Sequence, residues 1–362
     1  MYEFPAGGKV EVILNQFKEN HMRKLRLIVL MVIGLSGWAV AAESEPGIFE
    51  KAGWLGRGIN LGNALEAPSE GAWGVVLEEE FFKIIKDGGF DSIRIPIKFS
   101  AHALKEEPYT IDKEFFERVD WAVKNALFRD FTVIVDLHHY DEIYEDPAAH
   151  KARFVALWGQ IAEHYKDCPE QVFFELLNEP CKNLTDDIWN DLIAEALKVV
   201  RKTNPERAVI VGPTHWNNIR QLGKLKVPAG DRNIIVTCHY YEPMALTHQG
   251  ASWVAGPSES WLGTKWLGSE SEKAEIEKMF DIAERWSKKN NRPMFIGEFG
   301  TYDRAEMASR VRWTSFVASA ARKRNFTLAY WEFCASFGVY DKEKKQWREG
   351  LKNAVLGGGV KK

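Results

Sequence analysis

Two glutamates, Glu179 and Glu298, each follow a short apolar run of the kind that forms a buried strand. The first run covers residues 172–177 and the second covers residues 293–297. A charged carboxylate in apolar surroundings is costly unless it is paired, hydrogen-bonded or neutralised, so this placement needs a reason. Two acids at the ends of strands indicate a catalytic pair, and paired carboxylates are the groups that hydrolyse glycosidic bonds.

The elements that would position these acids alternate along the chain as short apolar runs and amphipathic helical patterns, which is typical of a parallel sheet. Strands are predicted at residues 57–61, 92–96, 132–137, 172–177, 208–211, 233–238, 293–297 and 328–331. Helices are predicted at residues 78–87, 113–129, 150–165, 186–202, 271–289 and 305–324. This series predicts an α/β fold, a (β/α)8 TIM barrel in a single domain. An open doubly wound sheet is the alternative, but residues 56–61 lack the third glycine of a dinucleotide-binding motif.

Polar and aromatic side chains follow nearly every predicted strand, where the active sites of such barrels lie. They are Asn63 and Glu66 after strand 1, Arg94 in strand 2, His138, His139 and Tyr140 after strand 3, Asn178 and Glu179 after strand 4, Trp216 after strand 5, His239, Tyr240 and Tyr241 after strand 6, Glu298 after strand 7, and Trp331 and Glu332 after strand 8. One such residue would carry little information, but the whole set is difficult to explain by structure alone. The long loop that begins at residue 240 adds Trp253, Trp261 and Trp266, and long loops in compact domains are usually functional.

The overall composition is that of a soluble globular protein, with 45% hydrophobic and 27% charged residues. The net charge of −3, without any block of like charge, argues against nucleic acid or an anionic membrane as the main partner. The aromatic content is high, at 14 Trp, 21 Phe and 10 Tyr. Most of these rings should fill the core, while several tryptophans are expected to line a sugar-binding cleft, because a flat ring can cover a pyranose face.

The N-terminal residues are predicted to lie outside the folded domain. Residues 22–41 have the basic start, the apolar centre and the small-residue cleavage site of a signal peptide. Residues 1–21 precede it as an upstream extension, interpreted as a misassigned start or a cloning remnant. The apolar run is short for a membrane span of about 20 residues, so an uncleaved anchor is the less favoured alternative. The mature domain, residues 42–362, is expected to be secreted into the medium or the periplasm, without a membrane anchor, as a monomer.

Export would permit disulfides, yet the four cysteines are expected to remain free thiols. Cys168 and Cys181 flank one predicted strand, and an extended strand rises about 3.3 Å per residue, which would hold them far apart. Bridged cysteines need Cα atoms within about 7 Å of each other. The spacing of cysteines and histidines does not resemble a zinc site, and neither a metal nor a cofactor is predicted.

Six short motifs, in order along the chain, resemble glycoside hydrolase family 5. They are Ile93-Arg94-Ile95-Pro96, Asp136-Leu137-His138, Leu177-Asn178-Glu179-Pro180, His239-Tyr240-Tyr241, Ile296-Gly297-Glu298-Phe299-Gly300 and Tyr330-Trp331. Two further segments, residues 62–66 and 331–334, are especially similar to thermophilic bacterial endoglucanases of that family, some of which also act on mannan. The resemblance covers roughly residues 50–357. It implies a (β/α)8 fold, a retaining mechanism, and catalytic carboxylates on strands 4 and 7.

The resemblance also implies a role for each matching residue. Glu179 would be the general acid/base, and its pKa would be raised by apolar neighbours and by Glu298 so that its proton is present at the working pH. Glu298 would be the nucleophile, kept ionised by Arg94 and by the hydroxyl of Tyr241. Plain structural ion pairs are the alternative interpretation of both acids.

The other matches are predicted to bind the sugar. Asn178 would hydrogen-bond the 2-hydroxyl, His138 and His239 would flank the reactive subsite, and Trp331 would stack beneath the reacting sugar. A further set either selects the substrate through its hydroxyls or serves only packing, and it comprises Asn63, Glu66, His139, Trp216, His248 and Trp253.

The residues therefore predict a secreted endo-β-1,4-glucanase, a cellulase, whose partner is a β-1,4-linked polysaccharide or oligosaccharide. A β-mannanase, a dual glucanase/mannanase or a xyloglucanase is the nearest alternative, since glucose and mannose differ in the orientation of one hydroxyl. A non-catalytic sugar-binding barrel is disfavoured because both acids and Arg94 are present. A metal-dependent hydrolase using His138, His139 and His239 is disfavoured because strand 1 lacks a His-x-His pair and there is no candidate carbamylated lysine.

Overall fold

The structure, a computed structural model, describes residues 46–357, so the predicted signal peptide and upstream extension lie outside the described residues. Eight strands form a closed barrel in which each strand is parallel to its neighbours and the last pairs with the first. They are β1 (Arg57–Asn60), β2 (Ser92–Ile97), β3 (Thr132–Leu137), β4 (Val172–Glu175), β5 (Val209–Val211), β6 (Ile234–Tyr240), β7 (Met294–Phe299) and β8 (Thr327–Tyr330). The predicted (β/α)8 fold is confirmed.

Helices alternate with these strands along the chain. They are α1 (Ile48–Gly53), α2 (Glu79–Asp87), α3 (Lys113–Phe128), α4 (Asp141–Glu145), α5 (Pro147–His164), α6 (Asp186–Thr203), α7 (Met244–Thr247), α8 (Glu270–Asn290), α9 (Met307–Lys323) and α10 (Glu349–Leu356). The six helices expected from periodicity are all present, whereas α1, α4, α7, α10 and a small hairpin of β9 (Tyr340–Asp341) and β10 (Gln346–Trp347) were missed. Among residues 46–357, no helix is both long and apolar enough to cross a membrane.

The helix ends follow ordinary capping chemistry. The side chain of Ser269 accepts a hydrogen bond from the backbone N–H of Glu272, whose carboxylate accepts from the backbone N–H of Ser269, so α8 begins with a capping box. Asn291 ends the same helix in the left-handed conformation that asparagine tolerates well. Asp146 caps α5 in a similar way, and Pro147 occupies its first turn, where its missing N–H costs nothing.

Apolar side chains fill the amino-terminal part of the barrel interior. They come from alternate positions of the strands and from the residue before β5, and they are Ile134, Phe173, Ala208, Ile210, Ile235, Phe295 and Ala329. Ile48 and Ala52 of α1, together with Leu55, pack against this cluster, so the segment before β1 closes the amino end of the barrel. The same two-residue alternation continues toward the carboxyl ends of the strands. It brings Asp136 and Glu175, two residues after Ile134 and Phe173, into the barrel interior.

A β-bulge in β7 sets the direction of Glu298. Cys238 pairs with Ile296 but the next residue, His239, pairs with Glu298, so Gly297 is the extra residue. Strict alternation from the inward-facing Phe295 would send Glu298 outward, and the bulge returns it to the interior. Glycine suits this position because a Cβ there would lie 2.6 Å from the hydroxyl oxygen of Thr237.

All four cysteines are free thiols, and Cys181, Cys238 and Cys334 are buried. Burial raises the pKa of Cys181 to about 12, so this thiol stays protonated at neutral pH. These cysteines pack as small apolar side chains, as expected from the sequence.

Leu55→Ala should destabilise the barrel, because Leu55 is fully buried in the cluster that α1 closes. We expect the free energy of unfolding to fall by about 2–5 kcal/mol, as for other large-to-small changes in a core. Urea unfolding followed by tryptophan fluorescence measures this loss. Phe128→Ala is the control, because Phe128 is 73% exposed and its truncation should cost less than about 0.5 kcal/mol. Equal losses in the two variants would contradict the closing role of α1.

Candidate active site

Arg94, on β2, is fully buried at the centre of the carboxyl end of the barrel and contacts three carboxyl groups. Its Nε and Nη2 atoms donate to the two oxygens of Glu175 at 2.7 and 3.0 Å. Its Nη2 atom also lies 2.9 Å from Oδ2 of Asp136, and its Nη1 atom donates to Oε1 of Glu298 at 2.8 Å. One guanidinium charge thus faces three acids, and the excess negative charge favours retention of a proton among them. Burial acts in the same direction, since it raises the pKa of Asp136 to about 7 and also raises the pKa of Glu175.

Two amide side chains complete the contacts of Arg94. Oδ1 of Asn60 accepts from Nη1 at 2.9 Å, and Oδ1 of Asn178 accepts from Nη2 at 2.9 Å. The amide nitrogen of Asn60 donates to the carbonyl oxygen of Gly297 at 2.9 Å, which ties β1 to the bulge in β7. Because its oxygen is held by Arg94, the amide nitrogen of Asn178 is oriented away from the guanidinium. Asn178 is the residue predicted to hydrogen-bond the sugar 2-hydroxyl.

Glu298 is buried, and both of its carboxylate oxygens accept hydrogen bonds. Arg94 donates to Oε1, and the hydroxyl of Tyr241 donates to Oε2 at 2.9 Å. Both contacts were predicted from the sequence. Burial raises the pKa of Glu298, while His239, Arg94 and the Tyr241 hydroxyl oppose that rise. Donors on each oxygen favour the ionised form, which is the form that a nucleophile requires.

Glu179 follows β4 and has a different environment. Its backbone is left-handed, with φ of 48°, which turns the side chain toward β6. Its Oε1 atom lies 2.8 Å from Nδ1 of His239. Burial raises the pKa of Glu179 to about 7, the charge of Glu175 adds to the rise, and Arg94 opposes it. Glu179 therefore retains a proton to much higher pH than an ordinary glutamate, as an acid catalyst must.

The two catalytic candidates meet inside the barrel. One oxygen of Glu179, one oxygen of Glu298 and one ring nitrogen of His239 lie within 4.8 Å of one another. Within residues 46–357 this is the only group of three or more acidic, histidine or cysteine ligand atoms that could hold a metal ion. Bringing two acids this close makes one of them hold a proton more firmly than the other.

Histidines and a tryptophan form one wall beside the two acids. The rings of His138 and Trp331 are nearly parallel, at 9°, with centroids 5.8 Å apart. Nδ1 of His138 lies 2.5 Å from Oδ2 of Asp136, and burial lowers the pKa of His138. Trp331 fits only because two neighbours are glycines, since a Cβ on Gly62 would lie 2.9 Å from its ring and a Cβ on Gly300 would lie 2.1 Å from its carbonyl oxygen.

The turn after β5 presents Trp216 to the solvent through unusual backbone geometry. His215, Trp216 and Asn217 are all left-handed, with φ of 56°, 60° and 53°. Each such residue costs about 1 kcal/mol or more, and clusters of this kind concentrate at functional sites. Trp216 is 53% exposed, which leaves its indole free to contact a ligand, whereas Asn217 is fully buried.

The long loop after β6 and the loop after β1 bring the other predicted residues. Trp253 is 58% exposed, and its ring meets the edge of Tyr302 at a centroid distance of 4.9 Å. His248 is buried against the ring of Tyr241, 4.9 Å away. Glu66 is buried, and its carboxyl oxygens accept from the backbone N–H groups of Asn63 and Ala64, so it shapes the turn that carries Asn63. Burial raises the pKa of Glu66 to about 8. A sugar contact for these residues stays a prediction.

Several residues of the site were not predicted from the sequence. Asp136, Glu175 and Asn60 hold Arg94. The two-residue alternation of the strands, which places the two acids at inward-facing positions, could have indicated this role. Trp73, in the loop after β1, is 42% exposed, and its ring meets the edge of His139 at a centroid distance of 5.5 Å. Trp73 extends the wall formed by His138 and Trp331 beyond His139. Its position depends on the conformation of the loop and could not be predicted from the sequence.

Arg94→Met should strongly destabilise the fold, because it leaves three buried carboxyl groups without their common cation. Breaking a buried ion pair from one side costs about 3–5 kcal/mol, and we expect a loss in the free energy of unfolding of that order. Arg220→Met is the matched control, because Arg220 pairs with Glu242 at the exposed surface and such pairs contribute about 0–1 kcal/mol. Thermal unfolding of both variants measures the difference. An Arg94 variant as stable as the control would contradict the electrostatic role of Arg94.

Comparison with known proteins places this geometry in a family. Residues 57–336 match the family described as cellulase (glycosyl hydrolase family 5). Endoglucanase H of Acetivibrio thermocellus is 37% identical over 86% of this chain, and the chain spans about a third (34%) of that relative. Endoglucanase B of Clostridium cellulovorans is 28% identical, with 82% of this chain and 71% of that protein covered.

Solved structures agree with this assignment. Thermotoga maritima Cel5A in complex with mannotriose is 52% identical with a TM-score of 0.84, and 85% of this chain and 99% of that chain are covered. The same Cel5A has also been solved in complex with cellobiose. A hyperthermophilic endo-β-1,4-glucanase in complex with substrate is 48% identical with a TM-score of 0.84, and 86% of this chain and all of that chain are covered. The resemblance predicted from the six motifs is thereby confirmed, and the chain belongs to glycosyl hydrolase family 5.

Proposed function

We propose that this protein is an endo-acting β-1,4-glucanase that retains the configuration of the anomeric carbon, with Glu179 as acid/base and Glu298 as nucleophile. The observation that carries the proposal is the convergence of one oxygen from each of these two carboxyl groups within 4.8 Å, where each group has different partners. Glu298 is held by two donors that favour its anion, and Glu179 lies where burial keeps its proton.

The separation of the acids supports a retaining mechanism over an inverting one. Retaining enzymes place the two carboxyl groups about 5–5.5 Å apart, whereas inverting enzymes leave about 6.5–9.5 Å for a water molecule. Oxygens within 4.8 Å of each other fit the shorter of these two separations. Water enters only after the leaving sugar departs.

The reaction follows from the positions of the two acids. In the first step the Glu298 carboxylate attacks the anomeric carbon, the glycosidic C–O bond breaks, and Glu179 gives its proton to the departing oxygen. In the second step Glu179, now ionised, takes a proton from water, whose oxygen displaces Glu298 from the anomeric carbon. Asn178 would hydrogen-bond the 2-hydroxyl, and Trp331 would stack against the reacting sugar.

Mannan is the second substrate that we propose. Thermotoga maritima Cel5A, 52% identical to this chain, has been solved with both mannotriose and cellobiose. Exposed tryptophans such as Trp216 and Trp253 recognise the apolar face of a pyranose, and that contact does not depend on the orientation of the 2-hydroxyl. We also propose that the chain is exported, on the basis of the signal-peptide pattern at residues 22–41, and that it acts as a monomer.

Incubation with carboxymethyl-cellulose and with mannan tests the substrate class. An endo-acting glucanase should lower the viscosity of the glucan rapidly while few reducing ends form, and mannan should be cut as well. Glu298→Gln is the control, since it keeps the shape of the side chain but removes the nucleophile. Folded wild-type protein that binds both polymers yet leaves them intact would support the sugar-binding barrel. Loss of activity with a chelator would instead favour the metal-dependent hydrolase.

The pH dependence of kcat/KM should be bell-shaped. Activity needs Glu298 ionised and Glu179 protonated, so the rate should fall as pH rises through about 7, where Glu179 loses its proton. It should also fall in acid as Glu298 gains a proton. Glu179→Gln assayed on an aryl cellobioside with a good leaving group should lose the basic limb, because that leaving group needs no acid. If kcat/KM of Glu179→Gln still falls as the pH rises through about 7, the fall belongs to the titration of another group.

A further inference from the structure

Asn217, the last residue of the left-handed turn after β5, reaches the second nitrogen of His239. The side chain is fully buried, and its amide nitrogen donates to Nε2 of His239 at 3.2 Å. The following residue, Asn218, forms an isolated parallel bridge with His239, so the turn is attached to β6 at that position. The left-handed run therefore aims one residue, Trp216, outward and the next one inward at the imidazole.

The contact is enclosed by two glycines. A Cβ on Gly212 would lie 2.1 Å from Oδ1 of Asn217, and a Cβ on Gly297 would lie 3.2 Å from Nε2 of His239. Larger residues at either position would displace the amide or the imidazole. The absence of side chains at Gly212 and Gly297 therefore leaves room for the Asn217 amide and the His239 imidazole.

The partners of His239 define which of its nitrogens carries hydrogen. With the amide nitrogen of Asn217 facing Nε2, that ring nitrogen accepts, and we infer that the hydrogen of the neutral ring is on Nδ1, which lies 2.8 Å from Oε1 of Glu179 and 3.6 Å from Oε2 of Glu298. The charged or titratable groups that act on His239 are Glu179, Glu298, Glu175, Arg94 and His138. Burial lowers the pKa of His239 to about 4, so the ring stays neutral across the working range.

This arrangement matters most when Glu179 is protonated. Nδ1 could then either donate to Oε1 or accept the hydrogen of the carboxylic acid. If it accepted, the acidic hydrogen would point at the imidazole instead of the departing oxygen. Because the lone pair on Nε2 is used by Asn217, Nδ1 must donate, and the hydrogen of Glu179 is left on Oε2.

We propose that Asn217 is a positioning residue that fixes His239 as its Nδ1–H tautomer and so assigns the acidic proton of Glu179 to Oε2. The proposal rests on the function given above, because it concerns the acid of that reaction. The side chain of Asn217 hydrogen-bonds His239 and neither of the two glutamates, so it acts through His239.

Nitrogen NMR of the histidine side chains tests the proposal independently of activity. In uniformly ¹⁵N-labelled full-length protein, with the His239 signals assigned by their loss in His239→Gln, the wild type should show hydrogen on Nδ1 from pH 5 to 8. Asn217→Asp introduces an acceptor, so Nε2 should gain hydrogen. Asn217→Gly keeps a left-handed backbone without strain and should give a mixture of tautomers at pH 5, where Glu179 is protonated. Asn218→Asp adds the same charge one residue away, retains the acceptor that caps Arg220, and should leave the His239 signals unchanged.

Kinetics on a soluble glucan provide the second measurement. Asn217→Gly should lower kcat by about two- to tenfold with little change in KM, the effect of one lost hydrogen bond. Asn217→Asp should shift the basic limb of the kcat/KM profile to lower pH, because a more basic His239 places positive charge beside Glu179. Hydrogen on Nε2 in the wild type, or His239 signals and pH profiles that are identical in all variants, would overturn the proposal. Absent glucanase activity with the expected tautomers would instead overturn the proposed function alone.

Discussion

A single buried cation, the guanidinium of Arg94, is the constraint on which the site depends. It contacts Asp136, Glu175 and Glu298, which arrive from three other strands, and all four side chains are almost completely buried. Burying these charges is costly, so the arrangement is stable only while every partner is in position. The two proposed catalytic acids, Glu179 and Glu298, take their different proton affinities from it. Arg94 bonds directly to Glu298 and acts on Glu179 only from a distance, so one carboxyl is favoured as the anion and the other keeps its proton.

The backbone around this cation is irregular wherever a functional side chain must change direction. Left-handed residues occur at Asn63, His139, Glu179 and Trp216, each in the loop that follows a strand. A bulge at Gly297 performs the same task for Glu298 within β7. Regular strands below these points fill the barrel with apolar side chains, and that rigid interior holds the strained turns in place. Stability and catalysis therefore occupy different levels of the same strands.

Sequence reasoning reached the features that depend on local pattern. Periodicity predicted the eight strands and the helices between them, and the short motifs predicted Glu179, Glu298, Arg94 and Tyr241 as neighbours. It missed features that depend on distant parts of the chain. Asp136 was noted only as part of a motif and Glu175 only as a member of an apolar run, because only the closed barrel brings them to Arg94. The contact of Asn217 with His239 arises from three successive left-handed residues, and the bulky Trp216 in the middle of them has no preference for that conformation.

Trapping the covalent intermediate tests the central claim most directly. A 2-deoxy-2-fluoro-cellobioside with a good leaving group lets the first step proceed and slows the second, because fluorine at C2 destabilises the oxocarbenium-like transition state. Mass spectrometry of the intact chain and of its peptides should then find one glycosyl group, attached to Glu298, and none in Glu298→Gln. Attachment to Glu179, or turnover with inverted configuration and no adduct, would contradict the account.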